Sequence, residues 1–216
     1  MYKPRRPRDP PLSSRTKKRP QIAPPTPERR TRCAQVAAAR QKGLVVVLED
    51  IHDPHNAEAA LRNCDAFGVQ NVHFVFRDES PFDPRRVGKS SSSSANKWLD
   101  FTVHHSTNAC ISSLRSTKHV LAAAVSEPDA IAVADAELGH TNLAIWFGNE
   151  NRGLSSQAID AADFLITVPL TGMVQSINVS VAVSIILYQT TQHRQGAEYL
   201  LGAQAREALV GNFLKR

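Results

Sequence analysis

The chain has 216 residues, 42% of them apolar, enough for one α/β domain with a real core and too many for disorder throughout. Its net charge of +6 is unevenly placed: residues 1–32 hold eleven Lys/Arg against Asp9 and Glu28, a local net of +9, and residues 33–216 carry −3. The basicity thus belongs to an arm, which suits a polyanion such as nucleic acid or an acidic membrane surface.

Residues 1–25 are expected to form a disordered, Pro-rich basic tail, and residues 26–216 a single domain. The tail lacks the apolar stretch of a signal peptide, and prolines at 4, 7, 10, 11 and 20 oppose the amphipathic helix of a transit peptide. "TPERRTRCAQVAAARQK" (26–42) predicts a helix with Thr26 as N-cap and Pro27 at its first position, exposing Arg29, Arg30, Arg32 and Arg40. "LVVVLE" (44–49) is an apolar run of the kind found in strands buried on both faces. "HNAEAALRNCDAFG" predicts a helix closed by Gly68, and "NVHFVF" (71–76) a second strand. "GKSSSSSANKW" (88–98) is a polar loop, its serine run (90–94) a linker, and a strand follows it. Then come a helix in "TNACISSLRSTK", strand "HVLAAAV" (119–125), strand "LAIWF" (143–147), a helix from Ser155 or Ser156, and strand "FLITV" (164–168). "NVSVAVSIILYQTTQHR" (178–194) predicts a long helix, and a terminal one spans about 203–215. The alternation argues for an α/β fold, a parallel sheet with helices on both faces. Ligands of such sheets bind beyond the carboxyl ends of the strands, here the loops starting at Asp50, Ser126, Gly148 and Pro169.

No apolar run reaches membrane-spanning length. Cys33, Cys64 and Cys110 are odd in number and far apart, with no C-x-x-C, so neither a disulfide framework nor a zinc knuckle is encoded. A reducing, cytoplasmic setting is expected. His52 and His55 make an H-x-x-H pair without partner ligands, which reads as surface histidine; no metal site is expected. "GNENRGLS" (148–155) has the glycine spacing of a triphosphate cradle, but Leu154 stands where a Lys must reach the phosphates and Glu150 would repel them. No G-x-S-x-G, H-E-x-x-H or G-x-G-x-x-G occurs.

The first loop holds Asn56, readable as a helix cap, and Arg62, a guanidinium among Ala and Leu that calls for an anion. In the second, Gly148 would let a ligand lie against the backbone. The third, "VPLTGMVQSINVSVA", carries Leu170, Met173, Val174 and Ile177, too apolar for an ordinary surface loop, so something apolar is expected to pack there.

Taken together, "DPHNAEAALRNCDAFGV", "IWFGNENRGLS" and "VPLTGMVQSINVSVA" resemble the three ordered motifs of the SpoU-type SPOUT methyltransferases, over roughly residues 26–216. The resemblance implies an α/β fold with a C-terminal trefoil knot, a homodimer, and S-adenosyl-L-methionine bound in the knot. It implies 2′-O-methylation of RNA ribose, on tRNA or on rRNA. The helix at 26–42, "SANKW" and "LVGNFLKR" most resemble the tRNA guanosine-18 branch, although Gln189 and Gln192 stand where an acidic residue and an Arg are expected. By motif, the cofactor would touch Val125, Gly148, Val168, Leu170 and Ile177. Asn56, Arg62, Glu150, Ser176 and Asn178 match the catalytic polar set. RNA would meet the tail together with Arg29, Arg30, Arg32, Arg40 and Arg194. The family assigns its arginine the role of base. An arginine side chain deprotonates only in strong base, so a cation steadying the developing alkoxide is the physically simpler role. The alternative of another class is a non-catalytic RNA-binding or ribosome-assembly protein on this scaffold.

Overall fold

The computed structural model describes residues 24–86 and 95–216. Nearly all of the expected tail (1–25) and the whole serine run (90–94) lie outside the described residues. Seven strands form one sheet: β1 (Leu44–Glu49), β2 (Asn71–Val75), β3 (Asp100–His104), β4 (Val120–Ala124), β5 (Ile131–Ala132), β6 (Leu143–Phe147) and β7 (Phe164–Thr167). Their order is β3-β2-β1-β6-β4-β7-β5, and every pairing is parallel. Among the described residues six α-helices accompany them: α1 (Pro27–Ala38), α2 (Pro54–Ala66), α3 (Thr107–Ser116), α4 (Ser156–Ala161), α5 (Val179–His193) and α6 (Ala203–Lys215).

Alternation along the central strand explains the layers. Leu44, Val46 and Leu48 of β1 pack with Leu61 and Cys64 of α2 and with Val183, Ile186 and Leu187 of α5. Val45 and Val47 point the other way, onto Cys110 and Leu114 of α3 and Ala158 of α4. Each fully buried Leu, Val or Ile among these contributes about 1.5–3 kcal/mol. A smaller cluster joins Cys33 and Ala37 of α1 to Leu209 and Phe213 of α6. No helix among the described residues is long and apolar enough to cross a membrane.

The secondary structure departs from the sequence expectations at two points. The first helix stops at Ala38 rather than 42, because Gln41 turns to bridge Leu200 and Gly43 takes a φ of +67°. A Cβ at Gly43 would meet the Thr141 carbonyl oxygen at 2.3 Å, so the turn admits only glycine. The two-residue β5 has no counterpart among the expected strands, being too short to carry any period.

Arg40 and Arg194 do not face RNA; each is only 1% exposed. Arg40 donates from Nη1 to the carbonyls of Asp65 and Val69, both at 3.1 Å, and from Nη2 to Asp65 Oδ1 at 2.5 Å. Arg194 donates to Gln41 Oε1 (3.1 Å), to Lys42 O (2.6 Å) and to His140 O, and its guanidinium lies 4.5 Å from the centre of the Tyr199 ring. Both are buried clasps, in which the fan of guanidinium donors satisfies carbonyls at chain turns. The exposed arginines of α1 are Arg29, Arg30 and Arg32.

Candidate functional site

The first loop is fixed by its own acids. Asp50, at a φ of +51°, accepts the backbone N–H groups of Arg77 (2.7 Å), Asp78 (3.1 Å) and Glu79 (3.2 Å). Asp53, not Asn56, caps α2: its Oδ1 accepts from His55 N at 2.8 Å, and Pro54 opens the helix. Asn56 therefore sits inside the first turn with its amide unclaimed by the cap.

That amide goes to Glu150. Asn56 Nδ2 donates to Glu150 Oε1 at 2.8 Å, and the same carboxylate accepts the backbone N–H groups of His52 (3.0 Å) and Asp53 (3.2 Å). On its other side Asn56 Oδ1 accepts from Asn178 Nδ2 at 2.9 Å. Asn178 in turn caps α5, its Oδ1 accepting from Ser180 N at 2.8 Å. One continuous chain of hydrogen bonds, Glu150–Asn56–Asn178, joins three loops far apart in sequence. Burial pushes the Glu150 carboxyl up, but hydrogen bonds from Asn56, from the His52 N–H, within its own turn and from the Asp53 N–H outweigh it and hold the group below the ordinary range.

The second loop is shaped by backbone. Asn149 and Gly153 exchange N–H···O bonds of 3.0 and 2.9 Å, and Asn149 Oδ1 accepts from Asn151 N and Arg152 N. A Cβ on Gly148 would meet Gly153 backbone carbon at 2.3 Å. The glycine thus has a nearer reason than ligand approach: the turn closes against it. Leu154 is core, packed with Ala158 and Trp146, which disposes of a phosphate cradle.

These loops enclose a cleft of about 1060 Å³ at the carboxyl ends of β4, β6 and β7. Asn56, Val125, Gly148, Glu150, Val168, Leu170, Ser176, Ile177 and Asn178 all line it. Arg62 does not. It lies on α2 with its side chain 49% exposed, and Nη2 donates to Glu58 Oε1 at 3.1 Å. Six residues from Asn56 place it about 9 Å further along the helix and on another face. Among the described residues nothing packs over the apolar third loop either: Leu170, Met173 and Val174 stand exposed. His52 is a surface residue, its Nδ1 3.0 Å from Glu79 Oε2.

One supporting residue belongs to none of the three motifs. Glu49 ends an otherwise apolar strand and is 1% exposed. Its carboxylate accepts from Thr107 Oγ1 (2.5 Å), Ser155 N and Ser155 Oγ (both 2.9 Å), which offsets the cost of burying a charge. Ser155 caps α4, so Glu49 anchors the far end of the second loop. The signal was a lone acid within a fully buried strand.

Residues 43–188 match the SpoU rRNA Methylase family. The tRNA (guanosine(18)-2′-O)-methyltransferase of Escherichia coli is 35% identical over 173 residues, spanning 79% of this chain and 72% of that protein. Its namesake in Thermus thermophilus is 36% identical over 170 residues, 78% of this chain and 84% of that one. The crystal structure of the Aquifex aeolicus TrmH/SpoU tRNA modifying enzyme superposes with a TM-score of 0.78, at 23% identity, covering 87% of this chain and 95% of that one. With the three motif loops meeting at one cleft and this extent of match, the chain belongs to the SpoU rRNA methylase family and has its SPOUT fold.

Proposed function

We propose that this protein is an S-adenosylmethionine-dependent RNA ribose 2′-O-methyltransferase whose substrate is tRNA, at guanosine-18. The observation that carries this reading is the Glu150–Asn56–Asn178 chain lining the same cleft as a set of apolar residues. Val125, Val168, Leu170 and Ile177 offer an apolar lining suited to a neutral adenine and a soft sulfonium, and the cleft is large enough for such a ligand. S-adenosylmethionine, when bound, supplies an electrophilic methyl group. Asn56, Glu150, Ser176 and Asn178 orient the acceptor ribose so that its 2′-oxygen is aligned for in-line attack. Arg62 pairs with the adjoining phosphate and steadies the alkoxide as its proton passes to phosphate or water. The trefoil knot and a cytoplasmic setting belong to the same reading. An rRNA substrate is the second reading, favoured by the family's own description. Incubating the protein with labelled methyl donor and total RNA, then mapping the modified ribose, decides between them; no labelled ribose would leave a non-catalytic RNA-binding protein.

A homodimer is part of the proposal. Val181, Ile185 and Tyr188 recur along the outer face of α5 at helical spacing and stand exposed, continuous in kind with Met173 and Val174. Arg62 borders this face, since the adjoining Asn63 donates to Ser180 O at 2.8 Å and Phe67 meets Tyr188 edge to face. A second copy seated on α5 would bring Arg62 of one subunit toward a shared site. Mixing equal amounts of Arg62→Ala and Asn178→Ala proteins is then expected to restore about one quarter of wild-type turnover, because half the dimers are mixed and each has one intact cleft. No restoration would mean that Arg62 serves its own chain.

RNA affinity is assigned to the tail and to Arg29, Arg30 and Arg32 on α1. Deleting residues 1–25 is expected to flatten the dependence of binding on salt, by about 0.7–0.9 in slope for each phosphate that the tail neutralises. An unaltered slope, measured by filter binding across salt concentrations, would make the tail a bystander.

A further inference from the structure

Away from the cleft, three side chains from different elements converge: His73 on β2, His104 at the end of β3 and Cys110 on α3. Their ligating atoms all lie within 4.8 Å of one another. His104 Nε2 is 3.2 Å from His73 Nδ1, and Cys110 Sγ is 3.8 Å from that same nitrogen. Tetrahedral zinc, with bonds of about 2.0–2.1 Å to nitrogen and about 2.3 Å to sulfur, holds N···N edges of about 3.3 Å and N···S edges of about 3.6 Å. Both separations are therefore within a few tenths of an ångström of those in a zinc site.

A hydrogen-bonded histidine pair would explain the first distance but not the two together. In such a pair His73 Nδ1 has one role, donor or acceptor, and spends it on His104, which leaves the Cys110 thiol with only a weak 3.8 Å approach. A cation shared by the three satisfies all of them. Cys110 is fully buried, and both imidazoles are half-buried between strand and helix. Thr107, one turn earlier on α3, donates to the Glu49 carboxylate and fixes the helix beside the cluster. The ligands stand at 73, 104 and 110, a spacing no motif encodes, so a metal site here becomes visible only in the fold.

We propose that His73, His104 and Cys110 bind one Zn²⁺ ion, with water completing the tetrahedron. The cysteine loses its proton to solvent on binding, as a thiolate ligand must. The ion ties the strands β2 and β3 to α3, the helix whose Thr107 positions Glu49.

The test uses the full-length protein, freed of metal by a chelator and titrated with Zn²⁺ and with Co²⁺ as a spectroscopic probe. One equivalent per chain is expected, with the near-ultraviolet sulfur-to-cobalt band and the visible bands of a four-coordinate ion. Cys110→Ser and His104→Gln are each expected to abolish the sulfur band or weaken binding by at least ~100-fold, since even outer-shell partners cost about 10–100-fold. Cys33→Ser and Cys64→Ser should leave both unchanged. Failure of the wild-type protein to take up either metal would overturn the proposal whatever the variants do. So would uptake that persists undiminished in Cys110→Ser or His104→Gln, which would be an adventitious ion only.

Discussion

Replacing Arg62 by Ala is expected to cut turnover at least ~100-fold, with S-adenosylmethionine binding kept. The magnitude is the low end for removing one charge-stabilising donor from a developing oxyanion, about 2.7 kcal/mol. Arg62 lies outside the cleft of the single chain, so its removal should not disturb the apolar lining made by Val125, Val168 and Ile177. Arg62→Lys is expected to fall between, because an ammonium keeps the charge and loses the planar fork that grips phosphate. Single-turnover methyl transfer and calorimetric cofactor binding, measured on the same preparations, separate the two effects. Unchanged turnover would remove Arg62 from the reaction, and lost cofactor binding would reassign it to the pocket.

Glu150→Gln should be nearly as damaging for a different reason. The carboxylate receives three N–H groups and donates none. An amide in its place turns an NH₂ toward at least one of those donors, which costs about 1–3 kcal/mol for the partner left unmet. Asn56 then loses its alignment toward Asn178, and a misplacement of about 1 Å at a reacting centre can cost about 100-fold in rate. The pH dependence has a definite sign. The folded state favours the charged form of Glu150, so its contribution to stability is complete above the ordinary carboxylate range and disappears as pH falls through the lowered folded value. The stability gap between wild type and Glu150→Gln should therefore be full at neutral pH and shrink in acid. Denaturant titrations at the two pH values check this; a gap that widens in acid would contradict the hydrogen-bond account.

Much of the fold was legible because its strands are short apolar runs with clear boundaries. β1 and β6 fall where the apolar residues do, Thr26 caps α1 as its chemistry predicts, and α4 and α5 begin at Ser156 and Val179, within a residue of the expected starts. The cleft was legible from its three motifs, since strand polarity brings the loops after β1, β6 and β7 to one edge. What could not be read was every case in which an ordinary-looking residue is claimed by a distant partner. Arg40 and Arg194 have the composition of surface residues, and only folding reveals the carbonyls that bury them. Asn56 has the chemistry of a cap, but Asp53 takes that duty. The exposed face of α5 reads as core from its sequence, since periodicity alone cannot say whether the covering surface belongs to the same molecule.

The strand order has a further consequence for how the protein is made. β6 is inserted between β1 and β4, and β7 between β4 and β5, so both late strands take inner places flanked by strands synthesised earlier. The sheet's middle has to stay open while nearly two thirds of the polypeptide leaves the ribosome, with Val45 and Val47 lacking the neighbours that later seal them. Pairings this distant in sequence make folding slow and leave unpaired strand edges exposed meanwhile. A nascent fragment ending before β6 has no Glu150 to receive Asn56, so the Glu150–Asn56–Asn178 chain forms only with the closing of the sheet.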